Sequence, residues 1–157
     1  MINPDKTILL VVESERDISL VVEHLFRIGY DNIAGYLHDG MTSWQNAGLP
    51  LQHLGEWTVN ELNQHKEDSN LTVLDVRSDG EYQNGYVPGA KHIYVPHLEK
   101  HLDELDKNQT VATYCGSGYR ASIAASILQK HGFENVINIP GSWIAWKSEN
   151  LPVEKPG

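Results

Sequence analysis

Apolar residues occur in short, nearly continuous runs, and amphipathic segments separate these runs. Such runs are typical of strands in a parallel sheet that is covered on both faces. The pattern predicts strands at 7–12, 32–37, 71–76, 90–95, 110–115 and 135–139, and helices at 17–29, 58–65, 97–105 and 121–132. Thr58 with Glu61 fits a capping box, and Gly29 and Gly132 fit glycines that end helices. Strands that alternate with helices predict an α/β fold with right-handed crossovers.

The chain contains an internal repeat. Residues 29–50, GYDNIAGYLHDGMTSWQNAGLP, align with residues 132–152, GFENVINIPGSWIAWKSENLP, with one residue of slack near position 38. A helix of similar length and an apolar strand precede each copy. Residues 1–54 are therefore predicted to be the degenerate carboxyl-terminal half of a domain, and residues 55–157 a complete domain.

The two copies differ where the second holds the chain's single cysteine, Cys115. The first copy reads VVESERDIS where the second reads TYCGSGYRAS, so that Val12 or Glu13 stands opposite the cysteine. Because the cysteine and the loop glycines are replaced, the first copy cannot bind an anion in the same way. Trp44 and Trp146 occupy matching positions and are predicted to anchor the two cores.

Composition narrows the range of functions. The 157 residues include 12 Lys and Arg against 21 Asp and Glu, a net charge of −9. This charge argues against broad binding of nucleic acids or anionic membranes, although a local nest of N–H groups can still hold a small anion. No apolar stretch reaches the roughly 18 residues of a membrane span, and the first residues do not resemble a signal peptide. One cysteine cannot form an internal disulfide, so we expect a reducing, cytoplasmic setting.

The segment CGSGYR has the features of an anion-binding loop. Cys115 lies at the carboxyl end of a predicted strand, where ligands bind in open α/β sheets. Gly116 and Gly118 allow several backbone N–H groups to point inward, and a helix amino terminus and Arg120 follow. These groups favour a thiolate over a thiol, so we expect a lowered pKa at Cys115 and a nucleophile for an anionic electrophile. The alternative is a buried core cysteine before a glycine turn.

Three ordered motifs resemble the rhodanese family over residues 57–152. LDVRSDGEYQNGYVPGAKHI (74–93) resembles the family's first signature, and YCGSGYRAS (114–122) resembles its persulfide loop. VINIPGSWIAWKSENLP (136–152) resembles the closing segment, with Ser142 where a second glycine is common. The resemblance implies a rhodanese-like parallel sheet flanked by helices, and a cysteine that carries sulfur as a persulfide.

The resemblance also implies a mechanism of two displacements. The Cys115 thiolate attacks the outer sulfur of a donor such as thiosulfate, and a thiol or cyanide acceptor then removes that sulfur. The implied substrate-binding residues are Gly116, Ser117, Gly118, Tyr119 and Arg120. Arg120 either binds the oxyanion of the donor or braces the loop, and Ser117 and Tyr119 shape the mouth of the pocket. No cofactor is implied.

Asp75 and Arg77, in the first signature, are expected to brace the fold and the loop through a buried contact. Glu81 and His92 are interpreted in the same structural way. Metal binding is not predicted: histidines occur one helical turn apart in HLEKH (97–101), but no third ligand lies near them in the sequence.

Loop length separates the sulfurtransferase hypothesis from a related one. Phosphatases and arsenate reductases of this fold place more residues between cysteine and arginine, whereas four residues separate Cys115 from Arg120 here. Two further alternatives stay open. The domain could be a non-catalytic persulfide carrier or sulfur-sensing interaction module, or a purely structural module, although the retained loop residues argue against the latter.

The half domain at residues 1–54 predicts a partner. An incomplete sheet leaves an exposed edge, which favours a homodimer, or packing on the intact domain or on a missing amino-terminal domain. The arrangement resembles the tail of bacterial fusions in which a metallo-β-lactamase-like persulfide dioxygenase precedes rhodanese units. The role implied by that resemblance is persulfide handling in sulfide detoxification.

Overall fold

The computed structural model describes residues 3, 5–51 and 53–157. Within it the chain forms two compact units, Met1–Gln52 and His53–Gly157. The division falls two residues before the boundary that the repeat predicts. The assignment of the first unit to half of a degenerate domain stays a prediction.

The first unit contains a two-stranded parallel sheet. Its elements are strand β1 (Ile8–Leu10), a 3-10 turn (Glu15–Asp17), helix α1 (Ile18–Arg27), strand β2 (Ile33–Tyr36) and helix α2 (Gly40–Asn46). Gly29 follows α1 with a φ of +83°. Only glycine adopts such a conformation without strain, which confirms that this residue ends the helix.

The second unit contains a five-stranded sheet whose paired strands are all parallel, in the order β3-β7-β6-β4-β5. The strands are β3 (Gly55–Glu56), β4 (Leu71–Asp75), β5 (Lys91–His92), β6 (Thr110–Tyr114) and β7 (Val136–Asn138). The helices are α3 (Val59–His65), α4 (Asp79–Gln83), α5 (Tyr119–Lys130) and α6 (Ser142–Ser148). This sheet with flanking helices confirms the predicted α/β fold.

A buried core lies on each face of the five-stranded sheet. On one face α5 buries alanine and leucine side chains, which allow the helix to approach the strands closely; they are Ala121, Ala124, Ala125 and Leu128. On the other face Trp146 of α6 packs with Val59 and Leu62 of α3. The predicted capping box begins α3, because Thr58 Oγ1 accepts from the Glu61 N–H and Glu61 accepts from the Thr58 N–H.

The predicted α-helix at 97–105 is wrong in type. The segment instead forms two 3-10 helices, Val95–Lys100 and Leu102–Glu104. Leu98 and Leu105 are buried in the core, and Leu102 is partly buried against it. These leucines lie at i, i+4 and i+7, which explains the predicted helix. The backbone leaves the helical conformation at His101, which has a φ of −122°, and two short 3-10 helices place the same side chains against the core.

The prediction that two tryptophans anchor cores is confirmed for Trp146 and wrong for Trp44. Trp146 is 1% exposed, whereas Trp44 is 36% exposed. Helix α3 covers Trp146, and the described part of the first unit places no such helix over Trp44. None of the helices in the described part of the chain is long and apolar enough to cross a bilayer.

Candidate active site

Cys115 lies directly after the central strand β6 and is 1% exposed. Gly116, Ser117 and Gly118 form the loop, and α5 begins at Tyr119. Gly118 has a φ of +109°, which is the left-handed region that favours glycine. The turn therefore brings the amino terminus of a 12-residue helix towards the sulfur.

Backbone N–H groups surround the Cys115 sulfur. The N–H of Gly118 donates to Sγ with a distance of 3.2 Å from nitrogen to sulfur. Burial opposes ionisation of the thiol, but N–H groups of the loop and of the first turn of α5 outweigh burial and lower the pKa of Cys115. The donors, in order of effect, are the backbone groups of Ala121, Gly118, Ser117 and Arg120. The loop thus stabilises negative charge on the sulfur.

Helix α6 holds the loop in place from its other side. Ser142 Oγ accepts a hydrogen bond from the Cys115 N–H at 3.1 Å and donates one to the carbonyl oxygen of Ile139 at 2.7 Å. The N–H groups of Trp143 and Ile144 donate to the carbonyl oxygens of Cys115 and Gly116, at 2.9 and 3.0 Å. The sequence alone predicts no role for Ser142. Its one signal was a serine where the resembling motif has a glycine.

Arg120 faces Glu81. Its Nη1 and Nη2 donate to the two carboxylate oxygens of Glu81, at 2.6 and 2.7 Å. The Arg120 hydrogen bonds, against a smaller effect of burial, lower the pKa of Glu81 to about 2. Glu81 raises the pKa of Arg120, and the Cys115 sulfur adds to this effect. The ion pair therefore lies beside the sulfur, and its net charge is close to zero.

Gly116 makes room for this ion pair. A Cβ atom at position 116 would lie 3.1 Å from Nη2 of Arg120 and 3.6 Å from Oε1 of Glu81. Any larger residue would press on the guanidinium. The two loop glycines therefore serve different purposes: Gly116 gives space, and Gly118 gives a backbone conformation.

A buried polar network lies beneath the loop. The predicted contact is present: Arg77 Nε donates to Asp75 Oδ1 at 2.9 Å, and both side chains are fully buried. The Tyr114 hydroxyl donates to Asp75 Oδ2 at 2.6 Å, and Arg77 Nη2 donates to the Gly85 carbonyl oxygen at 2.8 Å. Tyr114 precedes Cys115, so the network fixes the strand end from which the loop departs.

Comparison with known proteins decides the family. Residues 58–149 match the family model described as the rhodanese-like domain. The chain belongs to the rhodanese-like family. A Sulfurtransferase of Allochromatium vinosum is 30% identical over 96 residues, which are 60% of this chain and 90% of that protein. YrkF of Bacillus subtilis is 41% identical over 75 residues, but the match spans only 40% of its length and 47% of this chain.

A solved structure supports the same assignment of the fold. The crystal structure of a rhodanese-like domain protein from Staphylococcus aureus superposes with a TM-score of 0.60 at 28% identity. The superposition covers 66% of this chain and all of that one. The rhodanese-like domain therefore accounts for the second unit, and the matched range leaves the first unit outside it.

Other side chains of interest lie at the surface. Tyr119 is 83% exposed beside the loop, and the Ser117 side chain is exposed as well. Among the described residues, one group of metal-capable side chains, Glu15, His38 and Asp39, lies together. All three are exposed, and His38 Nδ1 is hydrogen-bonded to Glu15, which accounts for the cluster without an ion.

Proposed function

We propose that Cys115 accepts sulfane sulfur from thiosulfate or a low-molecular-weight persulfide and passes it to a thiol or to cyanide. The observation that carries the proposal is the position of the sulfur. It lies in a cradle of backbone N–H groups that lowers its pKa. Membership of the rhodanese-like family and a relative named as a sulfurtransferase support sulfur transfer in general.

The first step of the proposed mechanism is a displacement at sulfur. The Cys115 thiolate attacks the outer sulfur of the donor and forms a new S–S bond. The S–S bond of the donor breaks, and its electron pair leaves with sulfite when the donor is thiosulfate. No general base is needed, because the cradle already favours the thiolate.

The second step regenerates the enzyme. A thiolate or cyanide acceptor attacks the outer sulfur of the Cys115 persulfide, and Cys115 leaves as a thiolate. The same N–H groups, that of Gly118 among them, stabilise the charge that develops on the Cys115 sulfur. Since these donors are fixed before reaction, they act as electrostatic preorganisation in both steps.

Arg120 is proposed to brace the loop more than to bind the donor. Its guanidinium already donates two hydrogen bonds to Glu81, at 2.6 and 2.7 Å. An anionic donor would have to compete with this carboxylate for the same N–H groups. The backbone cradle is then the main site for the anion.

Intact mass spectrometry tests the proposal. After incubation with thiosulfate, and separately with glutathione persulfide, the wild type is expected to gain one sulfur atom, about 32 Da. The gain should be reversed by cyanide or a thiol and absent in Cys115→Ser. No gain with either donor would overturn the proposal.

A non-catalytic persulfide carrier or sulfur-sensing module is the second candidate. It is favoured by the neutralisation of Arg120, because a carrier has no need to attract small anionic donors. Turnover separates the two candidates. With thiosulfate and a small acceptor such as cyanide both in excess, an enzyme releases many equivalents of sulfite per Cys115, whereas a carrier stops near one equivalent until a partner protein removes the sulfur.

The cellular setting is part of the proposal. We infer a cytoplasmic location, supported by the single unpaired cysteine. Persulfide handling in sulfide detoxification, beside a metallo-β-lactamase-like persulfide dioxygenase, is proposed on the family resemblance and on the repeat. A clear preference for glutathione persulfide over thiosulfate as donor would support it, and the reverse preference would count against it.

A further inference from the structure

The first unit carries an open apolar groove of about 460 Å³. Its walls belong to residues 9–51, among them Leu9, Val11, Leu37, Met41 and Trp44. Large apolar side chains there face solvent: Leu9 is 71% exposed and Val11 is 53% exposed. Side chains of this kind on neighbouring positions of one sheet face mark a surface that binds another element.

The second unit repeats the geometry of the first at the hydrogen-bond level. The Ile8 N–H donates to the Asn32 carbonyl oxygen at 2.8 Å, as the Val111 N–H donates to that of Asn135 at 2.8 Å. The two tryptophans make the same bond as well. Trp44 Nε1 donates to the Pro50 carbonyl oxygen at 3.0 Å, and Trp146 Nε1 donates to that of Pro152 at 2.8 Å.

A bulge explains the extra residue of the first copy. Along β1 and β2 the register shifts between Ile8 and Leu9, where the partner changes from Ile33 to Gly35. Strands β6 and β7 pair without a shift. The extra residue of the first copy is therefore Ala34, whereas the sequence alignment places it near position 38. Because the bulge absorbs one residue, later side chains keep the faces of their counterparts.

These correspondences show which side chains, in a complete domain, cover the sheet face that forms the groove in the first unit. Leu9, Val11, Leu37 and Trp44 correspond to Ala112, Tyr114, Ile139 and Trp146, all of which are buried. The side chains packed over that set come from the part of the second unit that precedes β6; they are Val59, Leu62, Val73, Val87 and Ala90. In the second unit, the space that corresponds to the groove is filled by these side chains and has no room for a water molecule.

The sheets of the two units also differ at one edge. In the second unit β6 pairs with β7 on one side and with β4 on the other. In the first unit, among the residues that the structure describes, β1 pairs with β2 alone. The edge equivalent to the β4 side therefore has no described strand on it.

We propose that the apolar groove and the open edge of β1 dock the amino-terminal half of a rhodanese-type domain. The occupant is a polypeptide with the pattern of residues 53–109. Its amphipathic helix, with apolar residues spaced as Val59 and Leu62, fills the groove, and its long strand pairs in parallel with β1. Strand addition of this kind gains main-chain hydrogen bonds and buries alternate side chains. The inference does not depend on sulfur transfer by Cys115.

A fusion protein tests the docking. A copy of residues 53–109 is joined ahead of Met1 of the full chain, and amide hydrogen exchange is measured residue by residue. Exchange at Leu9 and Val11 is expected to slow by at least about tenfold, because the backbone groups of Ile8 and Leu10 face β2 and the N–H groups of Leu9 and Val11 face the open edge. The amides of β6 serve as the internal reference. Unchanged exchange along β1 would overturn the proposal.

Two matched controls keep the result specific. In the first, Val59→Asp and Leu62→Asp are made only in the appended copy, and the protection of β1 should be lost. In the second, Val11→Lys should leave the Tm of the original chain unchanged within about a degree, since this side chain faces solvent, but should abolish protection in the fusion. A large drop in Tm without the fusion would show that the groove is already packed and would overturn the proposal.

Hydrogen exchange and sedimentation of the original chain distinguish a second copy of the chain from the proposed occupant. If β1 is already protected in a concentration-dependent way, and sedimentation shows a dimer, a second copy fills the groove and the proposal is wrong. Fast exchange along β1 at every concentration, followed by protection in the fusion, supports the proposed occupant.

Discussion

Ser142 Oγ accepts a hydrogen bond from the backbone N–H of Cys115 at 3.1 Å. The same hydroxyl donates to Ile139, and Ser142 itself has a φ of +47°. A residue with a side chain is therefore kept in a conformation that favours glycine. The hydrogen bonds give the reason, because without this hydroxyl the buried N–H of Cys115 would lack its acceptor.

Ser142→Ala is expected to destabilise the domain by about 1–3 kcal/mol, since it leaves a buried donor unsatisfied. Ser142→Gly loses the same bonds but relieves the left-handed strain, so we expect it to be more stable than the alanine variant by about 1–2 kcal/mol. Urea unfolding measures both. Ser148→Ala, in the same helix and exposed, is the control and should stay within about 0.5 kcal/mol of the wild type. Equal stability of Ser142→Ala and the wild type would contradict the role of this hydroxyl.

Glu81→Gln should make the Cys115 thiol more acidic. The substitution removes the charge that neutralises Arg120, which lies beside the sulfur. We expect the pH midpoint of alkylation by iodoacetamide to fall by about 0.5 pH unit, as roughly 0.7 kcal/mol of charge interaction would give. Glu61→Gln is the matched control, because Glu61 closes the capping box of α3 without an arginine partner in that box. A midpoint that rises would mean that Glu81 is needed to keep Arg120 near the sulfur.

The ion pair of Glu81 and Arg120 should make the free energy of unfolding depend on pH below about 4.5. The pKa of Glu81 is lowered from 4.5 to about 2, so its contribution is complete above the unfolded value and is lost as pH falls from 4.5 towards 2. Both side chains are partly exposed, and we expect a contribution of no more than about 1 kcal/mol. The difference in unfolding free energy between wild type and Glu81→Gln should be larger at pH 6 than at pH 3. A difference that is independent of pH would contradict this linkage.

Asp75→Asn should be the most destabilising of these substitutions. It removes the negative partner of Arg77, which is 1% exposed, and leaves a buried positive charge without compensation. The expected loss is about 3–5 kcal/mol, measured by urea unfolding. Asp79→Asn is the matched control, because the Asp79 side chain is 88% exposed. A loss below about 1 kcal/mol would show that water reaches Arg77 in the folded state.

Elements with continuous apolar runs could be predicted from the sequence. All six predicted strands are present, although shorter than predicted. Strand β3 has two residues and α4 has five, too few for a period to show. Helices α2 and α6 were also not predicted. Each follows residues with positive φ, Asp39 and Gly141 among them, where the tertiary fold sets the backbone.

The contacts around Cys115 also divide into those that the local sequence predicts and those that it does not. The N–H cradle follows from local order in CGSGYR, since a strand end, two glycines and a helix start lie within six residues. The pairing of Arg120 with Glu81 joins residues 39 positions apart, and the bond from Cys115 to Ser142 joins residues 27 apart. No spacing rule links such positions, so they depend on how β4, β6 and β7 lie in the sheet.

The near-complete burial of Cys115 has a consequence for the chemistry that reaches it. Cys115 is 1% exposed, and a persulfide would place its outer sulfur only about 2 Å beyond Sγ. Small reagents can reach the outer sulfur, whereas a bulky disulfide cannot bring its own sulfur close enough for exchange. A thiolate in this position should resist mixed-disulfide formation with glutathione, and could stay reduced where exposed thiols of similar acidity are lost to oxidation.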